Sequence, residues 1–444
     1  LEHDPVTDTP ENSPSDRPRN PDLPASDGPA TPSGARQVTA AWCIVVLLIA
    51  SCLRPALTTV GPALHLIGDD TGLGSGGLGL VGALPLLAFA ILSPIVAIPA
   101  QRIGIERVVL VALAVLGLGI LLRSTPGIGW LWVGTLLIGV GIATGNVLVP
   151  VIVKRDFSKH VSLMTGLYTA VLSVGAATAS GITAPLSHTL PGSWRSALAI
   201  WAAVPLVCAV WWFFLTRATR RREYERSGSL AKAMTGSMPA IPSPAEPNAS
   251  RKVSLLKSPL AWQVTIFMGL QSLIFYTAAN WLPTVEASVG MDPATGGFHL
   301  FLMQLLGILG NLSVSFLAER RASQSWLAMI MAGFLIVALG GALVLPQAAA
   351  LWASFIGIGC GGSFSLSLAM IGLRTMSSAQ TMKLSGMSQC LGYLMAALGP
   401  LLAGWFADVL GGWVMVIVIL LALMVVHLIA GALAGRNRKI GATA

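Results

Sequence analysis

Charge is the scarcest ingredient of this 444-residue chain: only 10% of its residues are Asp, Glu, Lys or Arg. Soluble domains carry about 25%. With 54% hydrophobic residues and a mean hydropathy of +0.76, the composition excludes a soluble enzyme, a nucleic-acid-binding module and a disordered chain. Cysteine is scarce too. Cys43, Cys52, Cys208, Cys360 and Cys390 are dispersed, odd in number and all inside apolar runs, so they offer neither a disulfide framework nor a metal-ligand set. Paired carboxylates and a helical H-E-x-x-H are missing, which argues against a membrane-embedded hydrolase. The chain therefore reads as a non-enzyme without a cofactor or bound metal.

What fills the sequence instead is apolar runs close to the ~20 residues that span a bilayer core. Twelve occur, at approximately 38–60, 77–98, 108–122, 130–153, 161–186, 196–215, 259–282, 297–317, 326–345, 350–373, 384–406 and 413–434. They predict an all-α membrane protein of twelve transmembrane helices in two six-helix halves.

The net charge of +9 is uneven. Residues 1–40 hold three basic and seven acidic side chains, and the remainder holds 24 basic and 11 acidic. With both termini cytoplasmic, 24 of the 27 basic residues fall in inside segments, as the positive-inside rule requires. The exceptions are Arg123 and Arg195, placed outside, and Arg54, placed within a run. This division predicts a disordered cytoplasmic tail at 1–37, without the basic start of a signal peptide. An N-terminal bundle follows at 38–215, then a basic cytoplasmic linker at 216–258. A C-terminal bundle at 259–434 and a cytoplasmic tail at 435–444 complete the chain. The linker carries Arg220-Arg221-Arg222 and a Pro/Ser-rich stretch, which suits contact with anionic headgroups.

Acidic residues are confined to the tail, the loops and the ends of runs, Glu286 among them, so a mid-membrane carboxylate relay has no candidate. Against that background stands Arg54. Placing such a charge at mid-membrane costs about 2.5–3.5 kcal/mol on insertion scales. Pro55 removes a helical hydrogen bond beside it, and Ser51, Arg54 and Thr58 fall on one polar face. A lone cation facing a wet cavity is a receptor for an anionic or strongly dipolar solute. The alternative is that Arg54 snorkels to the outer interface, roughly 9 Å away.

Other intramembrane polar residues recur in both halves. Asn146 and Tyr168 lie in the fourth and fifth runs, Gln271 and Tyr276 in the seventh, Gln304 and Asn311 in the eighth, Gln389 and Tyr393 in the eleventh. Each lines the solute path or makes an interhelical hydrogen bond. With Arg54 and Thr58 they form the candidate binding set. His299 and His427 are read as packed histidines, and Trp130, Trp194 and Trp281 as interfacial anchors.

Internal duplication is visible locally. Gly139-Val-Gly141-Ile-Ala143 resembles Gly357-Ile-Gly359-Cys-Gly361, and Met164-Thr165-Gly166 echoes Leu384-Ser385-Gly386 about 25 residues later in each half. Gly357, Gly359 and Gly362 satisfy G-x-G-x-x-G, but a membrane helix supplies neither the strand nor the polar turn of a dinucleotide site.

Twelve helices in two halves resemble the major facilitator superfamily, whose second loop usually reads G-x-x-x-D-R-x-G-R-R; here Gln101-Arg102-Ile103-Gly104-Ile105-Glu106-Arg107 stands in its place. Arg54-Pro-Ala-Leu-Thr-Thr-Val-Gly-Pro62, Val153-Lys-Arg-Asp-Phe157, Pro259-Leu-Ala-Trp-Gln-Val-Thr265 and Trp281-Leu-Pro283 further resemble the cyanate and 2-nitroimidazole transporter family. That family commonly has Asn where this chain has Cys52. The resemblance implies a monomeric secondary transporter of the cytoplasmic membrane, moving a small anion or polar heterocycle by alternating access. Its partners would be that small solute and the lipid bilayer, with no nucleic acid. Proton coupling, through the solute, a histidine or the surroundings of Arg54, stays open. An exporter of drugs or metabolites and a transporter-like sensor are the rival readings.

Overall fold

The computed structural model describes residues 32–93, 95–157, 161–217, 255–320, 322–376 and 378–441. Most of the expected N-terminal tail, most of the basic linker with its triple arginine, and the last three residues lie outside the described residues.

Among the described residues every regular element is helical. The first span is broken: α1 (Pro32–Cys52) gives way to a short α2 (Pro55–Thr58) and then α3 (Val60–Thr71), with a 42° bend between the parts. Proline explains the first break, between α1 and α2, because Pro55 has no N–H to continue the ladder. The 42° bend comes later, at Thr59 between α2 and α3. The N-terminal half continues with α4 (Ser75–Leu92), α5 (Ala97–Ile103), α6 (Ile105–Arg123), α7 (Ile128–Asp156) and α8 (Val161–Thr189). It closes with α9 (Trp194–Arg217), interrupted by a 3-10 turn at Ile200–Ala202. Gly104 separates α5 from α6 at φ 92°, a backbone conformation that favours glycine. The C-terminal half comprises α10 (Pro259–Ser288), α11 (Pro293–Leu317), α12 (Ser325–Val344), α13 (Ala349–Leu373), α14 (Ser378–Val409) and α15 (Trp413–Ala434).

Eleven of these helices are individually long and apolar enough to cross a membrane, and the bent pair brings the number to twelve. The outward surface agrees. Val207, Phe214, Phe316 and Val414 are more than half exposed, which suits lipid and not water.

Small residues let the helices approach. Gly357 and Gly361 on α13 press against the carbonyls of Met303 and Gly307 on α11. In the other half a Cβ at Gly139 of α7 would lie 2.8 Å from Pro85 Cα of α4. Lipid is as apolar as the helices, so packing of this kind replaces the hydrophobic drive between them.

The halves meet along a seam where α4 packs on α14, α8 on α11, and α3 on α10. At the end holding Ser75 the seam is tight. A Cβ at Gly404 would stand 2.5 Å from the Ser75 carbonyl, and one at Gly79 2.5 Å from that of Pro400. Gly61 lies directly against the carbonyl of Ala279.

Two tryptophans expected at interfaces are interior. Trp194 and Trp281 are each 2% exposed, and Trp281 Nε1 donates to the Pro400 carbonyl at 2.8 Å. Trp130, 50% exposed, does sit at a helix end.

Candidate functional site

The break in the first span creates the site. Leu53 and Arg54 leave the helical ladder between α1 and α2, and the Arg54 carbonyl accepts from Leu57 and Thr58 N–H at 2.9 and 3.1 Å. The side chain enters a cavity of about 290 Å³ between the halves. Its guanidinium carbon lies 4.7 Å from the centre of the Phe275 ring, a cation–π contact. Among the described residues Arg54 has no hydrogen bond or ion pair from its guanidinium, which lines the cavity with five N–H donors to offer.

Nine of the ten candidate residues line this cavity: Arg54, Asn146, Tyr168, Gln271, Tyr276, Gln304, Asn311, Gln389 and Tyr393. They come from six spans. Thr58 does not join them. It is 1% exposed, and its hydroxyl donates to the Ala176 carbonyl of α8 at 3.1 Å. Thr58, the last residue of α2, faces α8 and not the cavity, so spacing alone misplaced it.

The polar groups are held differently. Gln271, 3% exposed, accepts from the Ser272 hydroxyl at 3.1 Å. Asn311 accepts from Ser365 at 2.6 Å, and Gln389 donates to Ser385 at 2.9 Å. Gln304 is 3% exposed and its Nε2 is buried without a protein partner. A buried amide donor left open is costly unless something else accepts from it.

Aromatic rings supply part of the remaining wall. Tyr168, Tyr276 and Tyr393 are three of the chain's four tyrosines; the fourth, Tyr224, lies outside the described residues. Phe275 packs edge-on to Tyr276 at 5.0 Å and 87°, and Phe89 edge-on to Tyr393 at 5.2 Å and 84°. Among the described residues no carboxylate lines the cavity. The arrangement can therefore take a flat, negatively polarised solute. The guanidinium and open amide would meet its oxygens or nitrogens, and the rings its faces and edges.

Sequence reasoning passed over Phe275, Met303 and Cys360, which also line the cavity. Phe275 follows Gln271 by four residues on α10, so helical spacing from the polar position could have found it. Two further groups were placed at helix ends and turn out to be interior. Arg123 is 1% exposed and donates to the Ala56 carbonyl at 2.7 Å. Glu286 is 4% exposed and bonded to His299.

Residues 46–397 match the Major Facilitator Superfamily. The chain is 37% identical over 408 residues to the transporter YycB of Bacillus subtilis (strain 168), covering 91% of this chain and 96% of that protein. It is 35% identical over 395 residues to the 2-nitroimidazole transporter of Escherichia coli (strain K12), covering 89% and 95%. To the cyanate transport protein CynX of the same organism it is 28% identical over 374 residues, covering 84% and 91%. Among solved structures, a bacterial homologue of the lysosomal transporter Spinster in an inward-facing conformation superposes with a TM-score of 0.68 at 13% identity, over 92% of this chain and 98% of that one. The D-xylose-proton symporter does so with 0.66 at 13%, over 92% and 100%. The twelve-span architecture, the broken first span and these relatives agree: the chain is a multi-pass membrane transporter that belongs to the major facilitator superfamily, within its cyanate and 2-nitroimidazole transporter family.

Proposed function

We propose that this transporter moves a small planar anion or polar heterocycle across the cytoplasmic membrane by alternating access, with Arg54 as the anchor. The observation that carries the reading is an Arg54 guanidinium with no hydrogen bond or ion pair among the described residues, facing a cavity free of carboxylates. Gln304, with its open amide, and Gln271, Asn311 and Gln389 orient the solute, while the three tyrosines and Phe275 select a flat shape over a bulky one. Relatives of this chain are a 2-nitroimidazole transporter and a cyanate transport protein. A 103-residue stretch is 46% identical to a putative anionic 4-hydroxy-benzoate permease of Thauera aromatica. All three names denote small, flat or linear, negatively polarised solutes.

With both termini in the cytoplasm, the tight seam at Ser75 and Gly404 lies on the outer side of the cavity. Rocking of the halves about the cavity exposes it to one side and then the other. Carrying one negative charge inward against an inside-negative potential costs about 2.3 kcal/mol per 100 mV, so uptake of an anion requires a second driving force, whereas export runs downhill.

The test is a binding and flux screen on purified protein in liposomes with cyanate, 2-nitroimidazole and 4-hydroxybenzoate. At least one is expected to bind and cross. Arg54→Ala and Arg54→Lys are expected to abolish or strongly weaken that binding, because lysine lacks the planar fork. Wild-type flux in both variants would overturn the anchor role.

A further inference from the structure

Away from the solute cavity, α10 and α11 enclose an ionisable pair that transport of a solute at Arg54 does not use. Glu286 lies two residues before the end of α10, and His299 six residues after the start of α11. His299 Nδ1 is 2.9 Å from Glu286 Oε2. The residues are 4% and 8% exposed. Glu286 Oε1 is buried with no hydrogen-bond partner. Close helix approach makes the enclosure: a Cβ at Gly296 would lie 2.9 Å from Pro283 Cα and 3.4 Å from Glu286 Oε2. On its other side Glu286 borders a second, mostly apolar cavity of about 470 Å³, walled by Trp281, Leu339, Trp352 and Trp413.

A carboxylate with one bare oxygen in such surroundings keeps its charge only beside a cation. His299 is that cation when it carries a second proton. The pair then holds one proton between Nδ1 and Oε2 and is neutral as a unit. Loss of the proton leaves a buried negative charge with an unsatisfied oxygen. No other charge intervenes. At this end the packed elements bring His65, Asp69 and Asp70 on α3, His188 on α8, Arg195 on α9 and Asp408 on α14, with Asp292 capping α11. All of these are exposed except Arg195, which is partly exposed and paired with Asp70. The α4 and α12 helices bring none, α13 brings Cys360, and His427 on α15 lies against the Ser363 hydroxyl. Among the described residues none forms an ion pair with Glu286 or His299.

Position ties the pair to the seam. On α10 it follows Ala279 and Asn280, which press against Gly61 and Gly82 of the other half. On α11 it follows Gly297, where a Cβ would be 3.5 Å from the Ser180 carbonyl of α8. The same two helices carry Gln271, Tyr276, Gln304 and Asn311 to the solute cavity.

We propose that Glu286 and His299 form a single-proton site that couples a proton to solute movement. The proton is held while the seam is closed and is exchanged with water when the seam parts. This inference rests on the transport reading and adds its driving ion. The step is a proton transfer between water and the pair, with no other bond made or broken.

Two measurements on the full chain test it. In the first, solute-free purified protein is titrated while the carboxylate stretches and histidine ring modes are followed by infrared difference spectroscopy. A titrating band belonging to the pair is expected in wild type, missing from Glu286→Gln and shifted in His299→Gln. In the second, liposomes held at fixed voltage are given 2-nitroimidazole as the probe. For one imposed pH unit, wild type is expected to accumulate the probe about tenfold over Glu286→Gln, the ratio one coupled proton supplies. Both proteins are expected to exchange labelled for unlabelled probe at equal rates. A titration difference spectrum that is the same in wild type and Glu286→Gln, or unchanged gradient-driven accumulation in that variant, overturns the proposal. Loss of exchange together with accumulation in Glu286→Gln also overturns it, since that marks a structural role. Wild type that moves the probe in neither mode, with the band present, counts against the transport reading and removes the coupling with it.

Discussion

Arg54 and Arg123 flank the same broken segment and are held in opposite ways. Arg123, at the end of α6, is 1% exposed and donates to the Ala56 carbonyl at 2.7 Å, with Nε and the other terminal nitrogen unpartnered. Arg54, two residues before Ala56, lies against Phe275 and points into open volume. One cation is used up by the fold, as a bond to backbone at the break. The other is left by the fold with its donors free. Burial alone therefore does not mark a binding residue; donors left over inside a cavity do.

The largest effect that separates the two is at Arg54. Arg54→Ala is expected to lower affinity for whichever screened solute binds by about 1.5–3 kcal/mol, the value of hydrogen bonds to a charged group. Thermal stability of the solute-free protein should hold or rise, because an uncompensated charge leaves the membrane. Arg123→Ala should invert the pattern. It strands the Ala56 carbonyl and opens a void behind the break, costing about 1–3 kcal/mol of stability, with a smaller loss of affinity than Arg54→Ala. Thermal unfolding beside solute titration reads both numbers. Equal losses of affinity in the two variants would erase the distinction.

Most of the architecture was legible because lipid imposes it. Apolar length sets the spans, so twelve runs give twelve spans with shifted boundaries, counting the bent first pair as one. Arg54 was legible for a related reason: a charge inside an apolar run has few explanations. Glu286 was not. Two residues from the end of α10, it reads as an ordinary interfacial acid. Its burial comes from Gly296 and Pro283, which let α11 close over it, and that is a tertiary fact. Arg123 escaped for the same reason, since the acceptor it needs is exposed by a break in another helix.

Gln304 offers a neutral version of the comparison. Its Nε2 is buried without a protein partner, so it resembles Arg54 in having an unused donor and Arg123 in being enclosed. Gln304→Met keeps the length of the side chain and removes the open amide. Stability is expected to rise by up to ~1 kcal/mol and affinity to fall by about 0.5–1.5 kcal/mol, the net value of a neutral hydrogen bond. Both shifts in one variant would place Gln304 with Arg54. A loss of stability with unchanged affinity would place it with Arg123.

Thr58 is the smallest and most discriminating case, because the sequence assigned it to the solute and the fold assigns it to α8. Its hydroxyl bridges the broken span to the Ala176 carbonyl at 3.1 Å, an interhelical bond worth about 0.6 kcal/mol in membranes. Thr58→Val keeps the branched shape and removes only that donor. Stability should fall by about that amount, while affinity and the solute preference order stay at wild-type values, because no atom of Thr58 reaches the cavity. A change in affinity without a change in stability would mean that Thr58 leaves the Ala176 carbonyl and turns toward the cavity during transport. The comparison of the two arginines would then describe one conformation of the cycle, with the break itself as the moving part.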